Sequence, residues 1–175
     1  MIPLQLMYVI SKIIYIMGVS GSGKTTIGKK LSQSTGIPFF DGDDFHSEAN
    51  KEKMRAGHPL TDEDRAGWLT RINELAKEQM KKNGAIIACS ALKEKYRTIL
   101  SAGITVPLYW VFLQGSYAAI EKRMEERRGH YMKSKMLASQ FETLEIPANA
   151  ITIDISKSPD EIVDLIVSKT RVKSS

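Results

Sequence analysis

Gly18-Val19-Ser20-Gly21-Ser22-Gly23-Lys24-Thr25 follows the apolar run Ile13-Ile14-Tyr15-Ile16-Met17 and leads into a helical pattern. It satisfies the phosphate-binding spacing GxxxxGK[ST] at every specified position, and it sits in the strand-to-helix context which that spacing requires. Glycines at 18, 21 and 23 let the backbone double back and bring successive N–H groups close to a polyphosphate with no Cβ in the way. The helix that starts at the loop adds the positive end of its dipole, and Lys24 adds a mobile point charge for the β- and γ-phosphates. Thr25 offers a hydroxyl to Mg²⁺. Gly18 through Thr26 are therefore the expected nucleotide contacts, with Lys24 also catalytic.

The rest of the chain alternates strand and helix signals around this loop. Thr26 to Thr35 reads as a helix closed by Gly36, and Ile37 to Phe40 as a short strand running into Asp41-Gly42-Asp43-Asp44. A helix from Ser47 to Arg55 follows, and then a long one capped at Thr61 and ending near Gly84. Ala85 to Cys89 has the unbroken apolar character of a central parallel strand. Ser90 is expected to cap a helix through Leu100. Pro107 to Leu113 is a strand, Tyr117 to Arg127 a helix, and Ile151 to Ile155 a last strand, with Ser158-Pro159 opening the final helix. The pattern breaks at 128–134 and resumes over 135–145. Strands alternating with helices give a three-layer α/β/α sandwich with a mainly parallel sheet.

With 175 residues the chain fits one domain spanning 1–175, with 1–11 as an N-terminal extension. Its net charge of +5 suits an anionic substrate as well as it would suit nucleic acid, and no block of five basic residues supports a nucleic-acid tract. The apolar start is interrupted by Lys12 and has neither a basic leader nor a small-residue cleavage site, so we expect no signal peptide and no membrane anchor. One cysteine, Cys89, rules out an internal disulfide and suits a reducing compartment, so the cytoplasm is expected.

Asp41 and Asp43 lie just beyond the carboxyl end of the second strand, where open parallel sheets bind ligands. One carboxylate can hold Mg²⁺ through its water ligands while the other takes a proton from a substrate hydroxyl, and spacing alone leaves the two roles exchangeable. Gly42 between them is expected to supply the turn. Asp44 and His46 are polar neighbours. Arg123 and Arg127 are four apart on one helical face, next to the break at 128–134, which suits a lid that closes over ATP and neutralises charge on the transferring phosphoryl group.

These motifs together resemble the gluconokinases of the small phosphate-loop type, relatives of the shikimate and nucleoside-monophosphate kinases. The likeness runs from Tyr15 to Pro147. It includes Asp41-Gly42-Asp43 with Phe45-His46, Lys53-Met54, Pro59-Leu60-Thr61-Asp62-Glu63-Asp64-Arg65 with Trp68-Leu69, Cys89-Ser90-Ala91-Leu92-Lys93 with Tyr96-Arg97, Gly129-His130, and Ser139-Gln140-Phe141-Glu142-Thr143-Leu144-Glu145. The resemblance implies transfer of the ATP γ-phosphate to the 6-hydroxyl of D-gluconate, a five-stranded sheet in the order 2-3-1-4-5, Mg²⁺ as cofactor and a homodimer. By analogy with shikimate kinases it makes Asp41 the magnesium-side carboxylate, Asp43 the substrate-side base, Arg65 a substrate-binding cation, Arg123 a nucleotide neighbour and Arg127 the lid arginine. Lys93, Tyr96, Arg97 and His130 are further candidate substrate contacts, each with a structural role as the alternative. The chain departs from the pattern at Ser47, at Ala66-Gly67 and at Lys133-Ser134, the last replacing a frequent Pro-Pro after the lid. A shikimate or nucleoside-monophosphate kinase is the nearest rival. No Asn-Lys-x-Asp stretch supports a GTPase, and an ATP-gated binding module would not need so full a catalytic set.

Overall fold

The computed structural model describes residues 10–127 and 131–172. Its elements follow in the order β1 (Ile13–Met17), α1 (Lys24–Thr35), β2 (Phe39–Asp41), α2 (Glu48–Arg55), α3 (Asp62–Gln79), β3 (Ala85–Ala88), α4 (Glu94–Ser101), β4 (Leu108–Gln114), α5 (Tyr117–Glu126), α6 (Tyr131–Thr143), β5 (Ile151–Asp154) and α7 (Pro159–Thr170), with a short 3-10 turn at Gly42–Phe45. The five strands form one parallel sheet in the order β2-β3-β1-β4-β5, the expected architecture. Among the described residues no helix is long and apolar enough to cross a membrane.

β1 is central and buried along its whole length because helices cover both faces of the sheet. Period-2 alternation sends Ile14 and Ile16 into one apolar cluster with Ile27, Leu31, Ile86, Val111 and Ile166. It sends Ile13, Tyr15 and Met17 into the other, with Trp68, Leu69, Ile72, Ile87 and Leu100. Tyr15 is wholly buried, so its phenol needs a partner; it donates to the Leu100 carbonyl at 2.9 Å while its ring stacks on Trp110. Cys89 is buried too, as a small apolar side chain, and loss of water pushes its thiol up to about 12.

Several local expectations are corrected. Ser90 does not cap α4: the chain turns through Ala91, which has φ 45°, and the helix starts only at Glu94. The cap comes from far away in sequence, since the Glu145 carboxylate accepts from the Glu94 backbone N–H at 2.7 Å. α3 ends at Gln79, with Gly84 folding back to donate to the Gln79 carbonyl. α6 starts at Tyr131 instead of 135 and stops at Thr143, so residues 131–134 of the expected lid are helical. With Lys133-Ser134 in place of two prolines, nothing there removes a backbone donor or clashes with the preceding turn. Arg128, Gly129 and His130 lie outside the described residues, as do Met1 to Val9. From the expected extension, Ile10 and Ser11 lead into Lys12, whose ammonium donates to the Thr170 and Arg171 carbonyls at the C-terminal end of α7.

Candidate active site

The phosphate loop bridges β1 and α1, and its geometry follows from its glycines. Gly23, the N-cap of α1, has φ 99° and ψ 17°, a left-handed conformation that disfavours any residue with a Cβ. Lys24 curls back over the loop and donates to the Gly18 and Val19 carbonyls at 3.0 Å each. Loss of water lowers the pKa of its ammonium, while Asp43, Cys89 and Asp41 oppose that shift by favouring the cation. The Val19 side chain is buried in the core, so this residue can serve a nucleotide only through its backbone. Ser22 is equally buried, and its hydroxyl has no hydrogen-bond partner among the described residues.

The acidic turn lies directly opposite. Thr25 donates its hydroxyl to Asp41 Oδ2 at 2.7 Å, and Asp41 Oδ1 accepts from the Asp43 backbone N–H at 3.0 Å. A hydroxyl and a carboxylate side by side are the hard oxygen donors that Mg²⁺ prefers, so the pair expected to hold the metal fits it chemically. Gly42 works differently from expectation. Its φ is not positive; a Cβ there would lie 2.5 Å from the Ala88 carbonyl, so glycine is needed for close approach to β3. Loss of water around the carboxyl, and then the charge of Asp41, raise the pKa of Asp43, while the Lys24 ammonium opposes the shift. Its side chain is nonetheless 85% exposed, which leaves it open to a ligand.

Sequence reasoning gave no role to the scaffold beneath this turn. Trp68 of α3 donates its indole N–H to the Gly42 carbonyl at 2.7 Å, and Arg71 donates to the Phe45 carbonyl at 2.9 Å. His46 stacks on Trp68 with ring centroids 4.2 Å apart. Burial lowers its pKa from 6.5 to about 4, helped by the positive charges of Arg65, Arg71 and Lys51. The linkage has a definite sign: below the unfolded value the unfolded chain takes up a proton that the folded chain refuses until about pH 4, so stability is lost as pH falls through that window. Going from about pH 7 to about pH 4.5 should cost the wild type roughly 2 to 3 kcal/mol more than His46→Phe, which keeps the stacking ring but cannot titrate. Denaturant titrations at the two pH values read the difference; parallel losses would remove His46 as the cause.

Three neighbouring cavities meet at the loop. One of about 320 Å³ is lined by Gly23, Thr26, Arg123, Ile155, Lys157 and Pro159, and Arg123 donates to the Ile155 carbonyl at 2.5 Å. The β5–α7 residues 155–159 were missed in the sequence because they carry no motif, only a half-apolar wall. A second cavity, about 160 Å³, holds Lys24, Thr25, Thr26, Asp41 and Asp43. The third, about 270 Å³, is bounded by Ser20, Gly21, Asp43, Met54, Met124 and Met136. Arg127 lines all three.

The other expected substrate contacts divide. Arg65 engages one guanidinium nitrogen, Nη1, with the Leu60 carbonyl and, at 3.4 Å, with the Tyr96 hydroxyl. Its other nitrogens carry no hydrogen bond among the described residues. Lys93 is paired with Asp62 at 3.2 Å, and Lys95 and Tyr96 bond the same carboxylate, holding its pKa well below the usual range. For Arg97 the contacts fit the structural alternative: it is buried, and its guanidinium donates to the Ala91, Leu92 and Glu145 carbonyls, pinning the strained β3–α4 loop. That loop in turn touches the phosphate loop, since the Gly18 N–H donates to the Ser90 carbonyl.

The shikimate kinase family model matches residues 20–171. A probable gluconokinase of Dictyostelium discoideum is 46% identical over 167 residues, covering 88% of this chain and 84% of its own length. The thermosensitive gluconokinase of Escherichia coli is 45% identical over 146 residues, covering 81% and 78%. Among solved structures, a gluconokinase from Sinorhizobium meliloti superposes with a TM-score of 0.83 at 38% identity over 93% of both chains. A Mycobacterium tuberculosis APS kinase, solved with AMPPNP and APS, shares the fold at a TM-score of 0.70 and 18% identity. High identity over most of both lengths, with a superposable fold and a complete phosphate loop, places this chain in the gluconokinase family, small phosphate-loop kinases related to the shikimate kinases.

Proposed function

We propose that this protein transfers the γ-phosphoryl group of ATP to the 6-hydroxyl of D-gluconate, giving 6-phospho-D-gluconate and ADP. The observation that carries the reading is the position of Asp43, which lines both the cavity holding Lys24 and the adjoining cavity of about 270 Å³. A hydroxyl entering the second cavity meets a carboxylate at its boundary with the phosphate site. The O6 lone pair forms the new P–O bond, the bond from the γ-phosphorus to the β,γ-bridging oxygen breaks toward ADP, and the hydroxyl proton passes to Asp43. Loop N–H groups and Lys24 hold the phosphates, and Arg127 answers the charge that spreads over the transferring group. Mg²⁺, when bound near Thr25 and Asp41, supplies further neutralisation of the β- and γ-oxygens. Arg123 and residues 155–159 would flank the nucleoside. The proposal includes a homodimer as the assembly, the cytoplasm as the compartment, and no nucleic-acid or membrane partner.

Gluconate differs from glucose in its C1 carboxylate, so the site must favour an anion, and the two unengaged nitrogens of Arg65 can grip a carboxylate side by side. Lysine cannot reproduce that geometry. The test offers gluconate, glucose, shikimate and nucleoside monophosphates in turn to the wild type and to Arg65→Lys, with ADP release as readout. Release with gluconate alone is expected. The variant should raise the gluconate KM roughly 10- to 150-fold with little change for ATP. Release with shikimate or a nucleotide instead overturns the substrate. A lower melting temperature with an unchanged gluconate KM makes Arg65 a structural brace.

A further inference from the structure

The stretch Ser139 to Glu145 belongs to α6 and the turn after it, and none of it enters the chemistry above. Its second residue nonetheless reaches the phosphate loop. Gln140 Oε1 accepts from the Ser20 backbone N–H at 2.7 Å, and Gln140 Nε2 donates to the Ser20 hydroxyl at 2.9 Å. Both ends of one amide thus close on one residue across 120 positions of sequence. The orientation is forced, because a backbone N–H can only donate and must face the amide oxygen. No other side chain of similar reach offers one acceptor and one donor in this way: glutamate lacks the donor, and lysine and arginine lack the acceptor.

The place of this contact gives it a purpose. Ser20 lines the phosphate cavity and the cavity assigned to the acceptor, so its position sets the wall between them. α6 carries Met136 on the acceptor cavity and the buried Leu137 in the core. Just beyond its C-terminal end the helix is tied down: the Glu145 N–H donates to the Leu92 carbonyl at 2.8 Å, its carboxylate caps α4, and its own carbonyl accepts from Arg97. Gln140 therefore projects from a braced helix onto a loop rich in glycine. Such a loop has much conformational entropy to lose when it orders around a phosphate, and a contact that orders it beforehand lowers that cost.

We propose that Gln140 is a positioning residue for nucleotide binding: it clamps Ser20 and holds the phosphate loop in its binding shape before ATP arrives. The proposal rests on residues 18–25 being a phosphate-binding loop. The experiment titrates ADP calorimetrically into the full chain and measures both Michaelis constants and the melting temperature for wild type, Gln140→Ala, Gln140→Met, Gln140→Glu, Ser20→Ala and the Gln140→Ala/Ser20→Ala pair. Losing two neutral hydrogen bonds should weaken ADP binding and raise the ATP KM about tenfold in the alanine and methionine variants, with the gluconate KM within about twofold. Gln140→Glu should melt near the wild type, since it still accepts from the Ser20 N–H, yet bind ADP more weakly than Gln140→Ala because it sets a carboxylate beside the phosphates. Ser20→Ala should lose only part of the affinity and add nothing to Gln140→Ala. ADP affinity unchanged in both Gln140→Ala and Gln140→Met, or both Michaelis constants rising together with a lower melting temperature, overturns the clamp. Wild-type protein that fails to bind ADP overturns the phosphate-loop reading and the clamp with it; normal wild-type binding with unaffected variants overturns the clamp alone.

Discussion

Lys24→Ala is expected to reduce phosphoryl transfer by roughly 10²- to 10³-fold, the ~3 to 4 kcal/mol typical of removing one preorganised charge-stabilising donor. Lys24 sits at the one point where the loop, Asp41 and Asp43 share a cavity, and its ammonium is already drawn to loop carbonyls at 3.0 Å. Moving from those carbonyls to phosphate oxygens exchanges neutral acceptors for anionic ones, which form the stronger hydrogen bonds. The side chain adds little to the core, so the variant should fold and melt near the wild type. Single-turnover rates at saturating ATP isolate the chemical step. A folded variant with near-normal turnover would remove Lys24, and with it the loop, from the active site.

Asp43→Asn is expected to lose turnover by a factor of about 10² to 10⁴ while still binding ATP, because the amide fills the same space but cannot accept the hydroxyl proton. The backbone bond from the Asp43 N–H to Asp41 does not involve the substituted side chain, so the turn should survive. The pH profile gives a second readout. With the Asp43 carboxyl raised above its ordinary value of 3.8, the base protonates earlier as pH falls, so the acid limb of kcat/KM should lie above that of an unperturbed aspartate and vanish in the variant's residual rate. If the asparagine variant loses ATP affinity and keeps gluconate affinity, the metal and base roles belong to Asp43 and Asp41 in exchange. The Thr25 contact to Asp41 is what favours Asp41 as the metal-side carboxylate.

The elements themselves were legible in the sequence where the signal is local. The loop spacing, the apolar runs of β1 and β3, Gly36 closing α1 and the Ser158-Pro159 start of α7 each rest on a few adjacent residues whose backbone preferences agree. Likeness to the gluconokinases was equally legible, because its motifs are contiguous side chains in fixed order. What the sequence could not determine depends on partners far apart along the chain. Ser90 resembles a helix cap until Glu145, 51 residues from Glu94, takes the position. Arg97 has two candidate roles until three backbone carbonyls close around its guanidinium and favour the structural one. Gly42 resembles a turn glycine until β3 brings the Ala88 carbonyl against it. Gln140 carries no role that its neighbours in sequence disclose until α6 lays it on Ser20. Local residues specify which backbone shapes are cheap, and the fold alone decides which polar groups are buried together and must satisfy one another.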